Sequence, residues 1–512
     1  MNVFELRERL VGDYSSFVTS FINIRDPRIR QEVRERMDEG LLWPDPLIQL
    51  NPCFEPGESI DELVDAGVLH DECRSIFRLK SGPADSGKTL RLHRHQSEAV
   101  KAASTGRNYV LTTGTGSGKS LAYIVPIVDH VLRNGSCRGI QAIVVYPMNA
   151  LANSQLNELE KFINFGYPDG RGRVTFRRYT GQESSEQQGE IVGNPPDILL
   201  TNYVMLELIL TRPREKPLIR AASGLRFLVL DELHTYRGRQ GADVAMLVRR
   251  ARDAFGADRL QHVGTSATLV AGGSWADQQA EVARVSSTLF GAEVRPECVI
   301  GEALRRVTPE PNLGDQRFLD RLRSRLADSQ ASVPSNFEQI VSDPLAAWIE
   351  STFGIRREPE SGRLVRQRPR SITGANGAAQ ELSTLTGQPV EHCVTAIQQL
   401  LLAGYNCPHP ETGFPVFAFR VHQFISRGDT VYASLLPETD RHITLFGQQY
   451  VPGDRNRVLL PLVFCRECGQ EYYCVRREQD DQAGEPRLAS RDLTDTRAEP
   501  DSEPGFLYYS EQ

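Results

Sequence analysis

The run NYVLTTGTGSGKSLAYIVPIVDHVL at 108–132 decides the fold. NYVLTT reads as a short buried strand, GTGSGKS as a glycine-rich turn, and the remainder as a mostly apolar helix. A strand that feeds a helix through such a turn builds an anion cradle, because backbone N–H groups converge there and the helix dipole favours negative charge. Gly114, Gly116 and Gly118 allow that convergence. Thr115, Gly116, Ser117 and Gly118 form the loop, Lys119 is placed to reach β/γ-phosphate oxygens, and the Ser120 hydroxyl is placed to ligate Mg²⁺. The plain pattern G-x-x-x-x-G-K-[ST] matches elsewhere, at GPADSGKT (82–89). That copy follows the charged SIFRLKS and precedes LRLHRHQ, a poor first helical turn, so context makes it an ordinary loop.

Outward from this loop, short apolar runs alternate with helical patterns from about 91 to 300. The runs are GIQAIVVYP (139–147), VTFRRYTG (174–181), DILLTN (197–202), LRFLVLDE (225–232) and LQHVGTSAT (260–268). This alternation predicts an α/β fold, a parallel sheet with flanking crossover helices and ligands at the carboxyl ends of its strands. LRFLVLDELH ends a strand in an acidic pair. There Asp231 would hold Mg²⁺, Glu232 would orient and deprotonate the attacking water, and His234 would sense the γ-phosphate. Ser266 and Thr268, closing the next strand, are placed to hydrogen-bond the Asp231–His234 turn. Gln96 is placed to read an adenine edge through its amide.

In this order the motifs resemble those of superfamily 2 DEAD/DEAH-box helicases, across about 88–300. Gln96 is similar to the Q-motif glutamine. TGTGSGKS resembles motif I, with Thr113 where alanine or glycine is usual, and YPMNALANSQ (146–155) resembles motif Ia. DELH resembles a DEXH-type motif II and TSAT motif III, while TGQ (180–182) and TNYVMLE (201–207) resemble strand-contacting motifs. HTYRGRQGADVAMLVRR (234–250) further resembles the branch of RecQ4-like repair enzymes and the very large phage-defence helicases. The resemblance implies a RecA-like P-loop lobe with ATP and Mg²⁺ as cofactors. It also implies a nucleic-acid strand, DNA ahead of RNA, touched by Asn149, Asn153, Gln155, Gln182 and Asn202, with Arg237 and Arg239 adding charge. Other subunits of a repair or phage-defence system are the implied partners.

The chain has 512 residues, 40% of them hydrophobic and 24% charged, enough for several globular domains. A net charge of −7 advertises no nucleic-acid surface, so any such contact must be local. The start carries acids and no apolar h-region, no apolar stretch is long enough to span a membrane, and nine scattered cysteines are not a disulfide framework. These features point to a cytoplasmic protein with no membrane partner.

The expected organisation is an N-terminal helical or irregular arm (1–87), the ATP-binding lobe (88–305), and linker plus helices (306–375). A winged-helix-like region (376–440) and a strand-rich, partly zinc-ribbon-like tail (441–512) follow, making an α+β region after the lobe. In 376–440, two helices around Gly387 precede a strand pair for a wing. Cys465 and Cys468 have the spacing of half a zinc site, with Cys474, Cys407 or His409 as candidates to complete it. No second Q-x-x-G-R-x-x-R-type motif follows residue 300. The expectation is therefore a first motor lobe, an N-terminal portion or truncated product that binds ATP and hydrolyses it weakly. The alternatives are an RNA helicase, or a nucleotide-gated DNA-binding module without productive hydrolysis.

Overall fold

The computed structural model describes residues 2–114, 116–167, 170–267, 274–328, 332–426, 430–479, 486–492, 495 and 502–509. The chain folds as two compact units, one of residues 52–307 with 356–366, the other of 1–51, 308–355 and 367–512.

The first unit is built on seven strands: β1 (Tyr109–Thr112), β2 (Ala142–Tyr146), β3 (Phe176–Arg178), β4 (Ile198–Asn202), β5 (Phe227–Leu230), β6 (Gln261–Ser266) and β7 (Val299–Gly301). They pair in the order β7-β1-β6-β5-β2-β4-β3, every pair parallel. Strands such as AIVVY and FLVL are buried along their whole length, as helices on both faces of a parallel sheet require. One face packs on Tyr109, Leu111, Val144 and Val229, the other on Val110, Val145, Leu228 and Leu230. This is the expected RecA-like arrangement of sheet and flanking helices. Because β6 lies between β1 and β5, the turns after β1 and β5 flank the end of β6 at one edge of the sheet.

The expected boundary at residue 87 does not coincide with these units. Ile60, Leu63, Leu69, Cys73, Ile76 and Phe77 belong to the same buried cluster as Val100, Tyr123 and Val128, so 52–87 is part of the lobe. Within it, GPADSGKT is the tip of a hairpin. Arg78–Leu79 pairs with Lys88–Thr89, and the Asp85 carboxylate accepts the N–H groups of Ser81 (2.9 Å) and Gly87 (2.8 Å). An aspartate occupies the turn's donors there and Lys88 is exposed.

The second unit has two sheets. In the smaller, Leu47–Leu50 lies between Arg370–Ser371 and Phe419–His422, antiparallel to both. The helices Ala378–Thr386 and Val390–Asn406, joined through Gly387 (φ +75°), thus precede a strand that pairs with the N-terminal segment rather than with a second strand of a wing. The larger sheet has seven strands between Tyr432 and Leu507, packed on Ile29, Val33 and Met37 of the helix Pro27–Asp38. Leu445, Leu460, Leu462, Tyr473 and Val475 of the expected tail therefore share a core with the N-terminal arm. At its margin, the Nη1 of buried Arg441 donates to Asp26 (3.2 Å) and Glu471 (3.1 Å), so three buried charged groups pair with one another.

Cys465 and Cys468 sit in the turn of the hairpin Asp454–Phe464/Glu471–Gln479, closed by Gly469 N–H to Cys465 O at 2.9 Å. Cys474 is buried in the following strand. Among the described residues, the one grouping of three ligand atoms near enough for a metal is Asp26, Glu438 and Glu471. Among the described residues no third ligand atom is grouped with Cys465 and Cys468, and two thiols in one turn supply half of a tetrahedral ligand set. No helix of the described residues is long and apolar enough to cross a membrane.

Candidate nucleotide site and strand cleft

The loop after β1 is held from below. Gly116 and Gly118 take φ +81° and +69°, a conformation that only glycine adopts without strain. The Thr113 hydroxyl, on the residue that departs from the usual motif, lies 2.7 Å from that of Ser117 and ties the loop's two sides together. Lys119 Nζ donates to Thr113 O at 3.2 Å, and Ser120 opens the helix Leu121–Asn134.

Gln96 meets the same loop. Its Nε2 donates to Gly118 O at 2.8 Å and its Oε1 accepts the His93 N–H at 2.7 Å, capping the helix Arg94–Ser104. The side chain expected to read adenine thus also braces the phosphate loop. His95 Nε2 lies 2.9 Å from Ser117 O, a second brace that the sequence reading missed. Burial lowers the pKa of His95 below its ordinary value.

Across the edge, Glu232 adopts a left-handed conformation (φ +52°), which turns its carboxylate back toward the loop: Oε1 lies 3.6 Å from Lys119 Nζ. His234 Nδ1 lies 3.3 Å from Glu232 Oε2 and 3.4 Å from Ser266 Oγ. The expected link between the DELH turn and β6 therefore runs through Ser266. Thr268 and Thr115 lie outside the described residues. Thr265, not singled out from sequence, is the closer partner: its hydroxyl donates to Asp231 Oδ1 and accepts the Glu232 N–H at 3.1 Å.

Burial pushes the Asp231 carboxyl up to about 6, opposed by the Thr265 hydrogen bond and raised further by the Glu232 charge. Two carboxylates facing one lysine, with Glu232 Oε2 buried beside His234 Nδ1, form a donor set that fits a hard divalent cation.

A cleft of about 520 Å³ opens beyond the carboxyl ends of β2 and β4. Asn149 and Asn202 line it together: Asn202 Nδ2 donates to Asn149 Oδ1 at 2.7 Å and to Thr180 O at 3.1 Å, while its Oδ1 caps the helix Tyr203–Thr211. Gln188, Tyr203 and Arg212 also line it; Gln188 and Arg212 were not foreseen, because each sits in a helix or turn with no motif around it. The remaining expected strand contacts stand apart from this lining. Asn153 accepts a hydrogen bond from Arg178, Gln155 keeps a buried Oε1, and Gln182, Arg237 and Arg239 are exposed.

Residues 93–272 match the family model described as DEAD/DEAH box helicase, and the lobe is a helicase domain of that kind. The chain is 25% identical to the Druantia protein DruE of Escherichia coli, over 49% of this chain and 20% of that protein. It is 31% identical to the uncharacterized ATP-dependent helicase YprA of Bacillus subtilis, over 35% of this chain and 23% of that protein. Among solved structures it is similar to the DUF1998 helicase MrfA bound to DNA, at 22% identity and a TM-score of 0.38, over 53% of this chain and 32% of that one. The chain spans 20% to 23% of the length of these curated relatives.

Proposed function

We propose that this lobe binds a magnesium nucleoside triphosphate at residues 114–120 and couples it to a nucleic-acid strand in the Asn149–Asn202 cleft, as the first motor lobe of an ATP-dependent DNA helicase or translocase. The observation that carries this reading is the approach of Lys119 and Glu232 to 3.6 Å, which puts a phosphate-binding ammonium and a water-orienting carboxylate on two sides of one small space.

In this reading, Lys119 neutralises the β/γ-phosphates, and Ser120 and Asp231 would hold Mg²⁺. The metal, when bound, withdraws charge from the phosphates. Glu232 orients the attacking water and takes its proton. His234 and Ser266 join the Glu232 turn to β6, and Gln96 holds the loop from the base side. The cleft amides and Arg212 receive a sugar-phosphate backbone, which fixes the strand's register and carries little sequence preference.

The names of the relatives support ATP-dependent helicase activity, and that of MrfA supports DNA as the strand. Work alongside other subunits of a repair or phage-defence system, and a cytoplasmic setting, belong to the same proposal. Zinc enters it only through Cys465 and Cys468, as two of four ligands.

Titration with a fluorescent ATP analogue tests the reading. Lys119→Ala should abolish binding while Lys88→Ala keeps it; equal binding by both variants would refute the site.

A further inference from the structure

Gly114, the first glycine of the phosphate loop, has no positive φ, so backbone conformation does not explain it. A Cβ there would lie 2.6 Å from Arg366 Nε and 2.7 Å from its Cζ. Any side chain at 114 would have to displace that guanidinium. Arg366 belongs to the hairpin 356–366, which returns to the lobe after the chain has left it.

The Gly114 N–H does not point at an anion site. It donates to Glu302 Oε2 at 3.1 Å. Arg366 Nε in turn contacts both oxygens of Glu302, at 2.8 and 3.0 Å, with only 16% and 17% of the two side chains exposed. The hairpin is held for this contact: Arg363 donates to Glu302 O at 3.2 Å and stacks over the Trp275 ring at 3.9 Å, while Arg366 lies 5.6 Å from the Phe54 ring.

A carboxylate hydrogen-bonded to a phosphate loop is electrostatically wrong for that loop. Its charge sits beside the bed in which, on the proposed reading, a triphosphate lies. A paired guanidinium removes the conflict, and arginine suits the place because its Nε–H reaches both carboxylate oxygens while its permanently charged guanidinium lies over the Phe54 ring.

We propose that Arg366 is a positioning residue of the nucleotide site. It neutralises Glu302, so that Glu302 can anchor Gly114 without repelling the triphosphate. The inference rests on the proposed ATP site and assigns it a residue from outside the motif-bearing segment. Since repulsion grows with ligand charge, losing Arg366 should weaken ATP more than ADP. Removing the Glu302 charge as well should restore binding.

The test uses the full 512-residue chain with Mg·ATP and Mg·ADP, titrated calorimetrically at two salt concentrations. Arg366→Ala should lower ATP affinity about tenfold or more and ADP affinity less, with the deficit shrinking at high salt. Arg366→Ala/Glu302→Gln should recover to within about threefold of the parent. Should Arg366→Ala fail to fold, Arg366→Gln on parent and Glu302→Gln backgrounds makes the same comparison. Normal ATP affinity without Arg366, or a double variant as weak as the single, overturns the proposal. Failure of the ATP site itself reads differently: Lys119→Ala would then bind like the parent.

Discussion

Thr265 serves Asp231 with a single hydroxyl that also holds the next residue: it donates to Asp231 Oδ1 while accepting the Glu232 N–H at 3.1 Å. The Asp231 carboxylate and the Glu232 backbone thus depend on one oxygen in β6. Thr265→Val keeps the shape and removes that oxygen, leaving a carboxylate and an amide short of a partner, a cost of about 1–3 kcal/mol. The Asp231 pKa should rise further, since this hydrogen bond opposes the effect of burial. The pH at which Mg²⁺-dependent ATP binding reaches half its maximum should move up in the variant. An unchanged midpoint would sink the assignment.

Asp231 also makes a prediction about stability. Its folded pKa of about 6 lies above its ordinary 3.8, so the folded state takes up the proton first as pH falls. The stability linked to that proton is fully present below 3.8 and lost as pH rises through 6. Without ligand, Asp231→Asn should melt a few degrees above the parent at pH 7–8, with the gap closing toward pH 4. Scanning calorimetry at stepped pH checks the sign, and a gap that widens on acidification contradicts it.

His262 works in the opposite direction. It is buried in β6 against Phe290, with neither ring nitrogen hydrogen-bonded, and burial lowers its pKa to about 4. The unfolded chain takes a proton near 6.5, so stability is held above that pH and falls as pH drops from 6.5 toward 4. His262→Leu should therefore resist denaturation better than the parent at pH 5 and show little advantage at pH 8. Urea midpoints at the two pH values decide it.

Arg212 lines the cleft beside Asn202 and is exposed. If a strand's phosphates lie there, Arg212→Ala should weaken single-stranded DNA binding and reduce the salt slope of log K by about 0.7, one phosphate's share. Fluorescence anisotropy with a labelled oligonucleotide across a salt series measures both. Loss of affinity with an unaltered slope would indicate a structural role.

Much of the lobe was legible because its chemistry is local in sequence. Strand, glycines, lysine and helix are contiguous at 108–132, and the acidic pair ends its own apolar run. Thr265 escaped notice because a threonine in a strand looks like ordinary β-propensity, and its partner is on the neighbouring strand. The second unit was less legible still. Leu47–Leu50 pairs with Phe419–His422 across most of the chain, and nothing in LIQL or FRVH names its mate. The segment 356–366 falls within the span expected as linker and helices (306–375), and its role shows only when Trp275, Phe54 and Glu302 are seen under its arginines.

The discontinuity of the lobe bears on how it can be produced by itself. A gene fragment trimmed to the helicase motifs, 88–305, would strip Ile60, Leu63, Cys73, Ile76 and Phe77 from the apolar surface they cover and would discard the 356–366 hairpin. Such a fragment should be recovered as aggregate. An excised lobe that keeps its own core begins at Pro52 and retains Arg356–Arg366 along with Pro52–Val307.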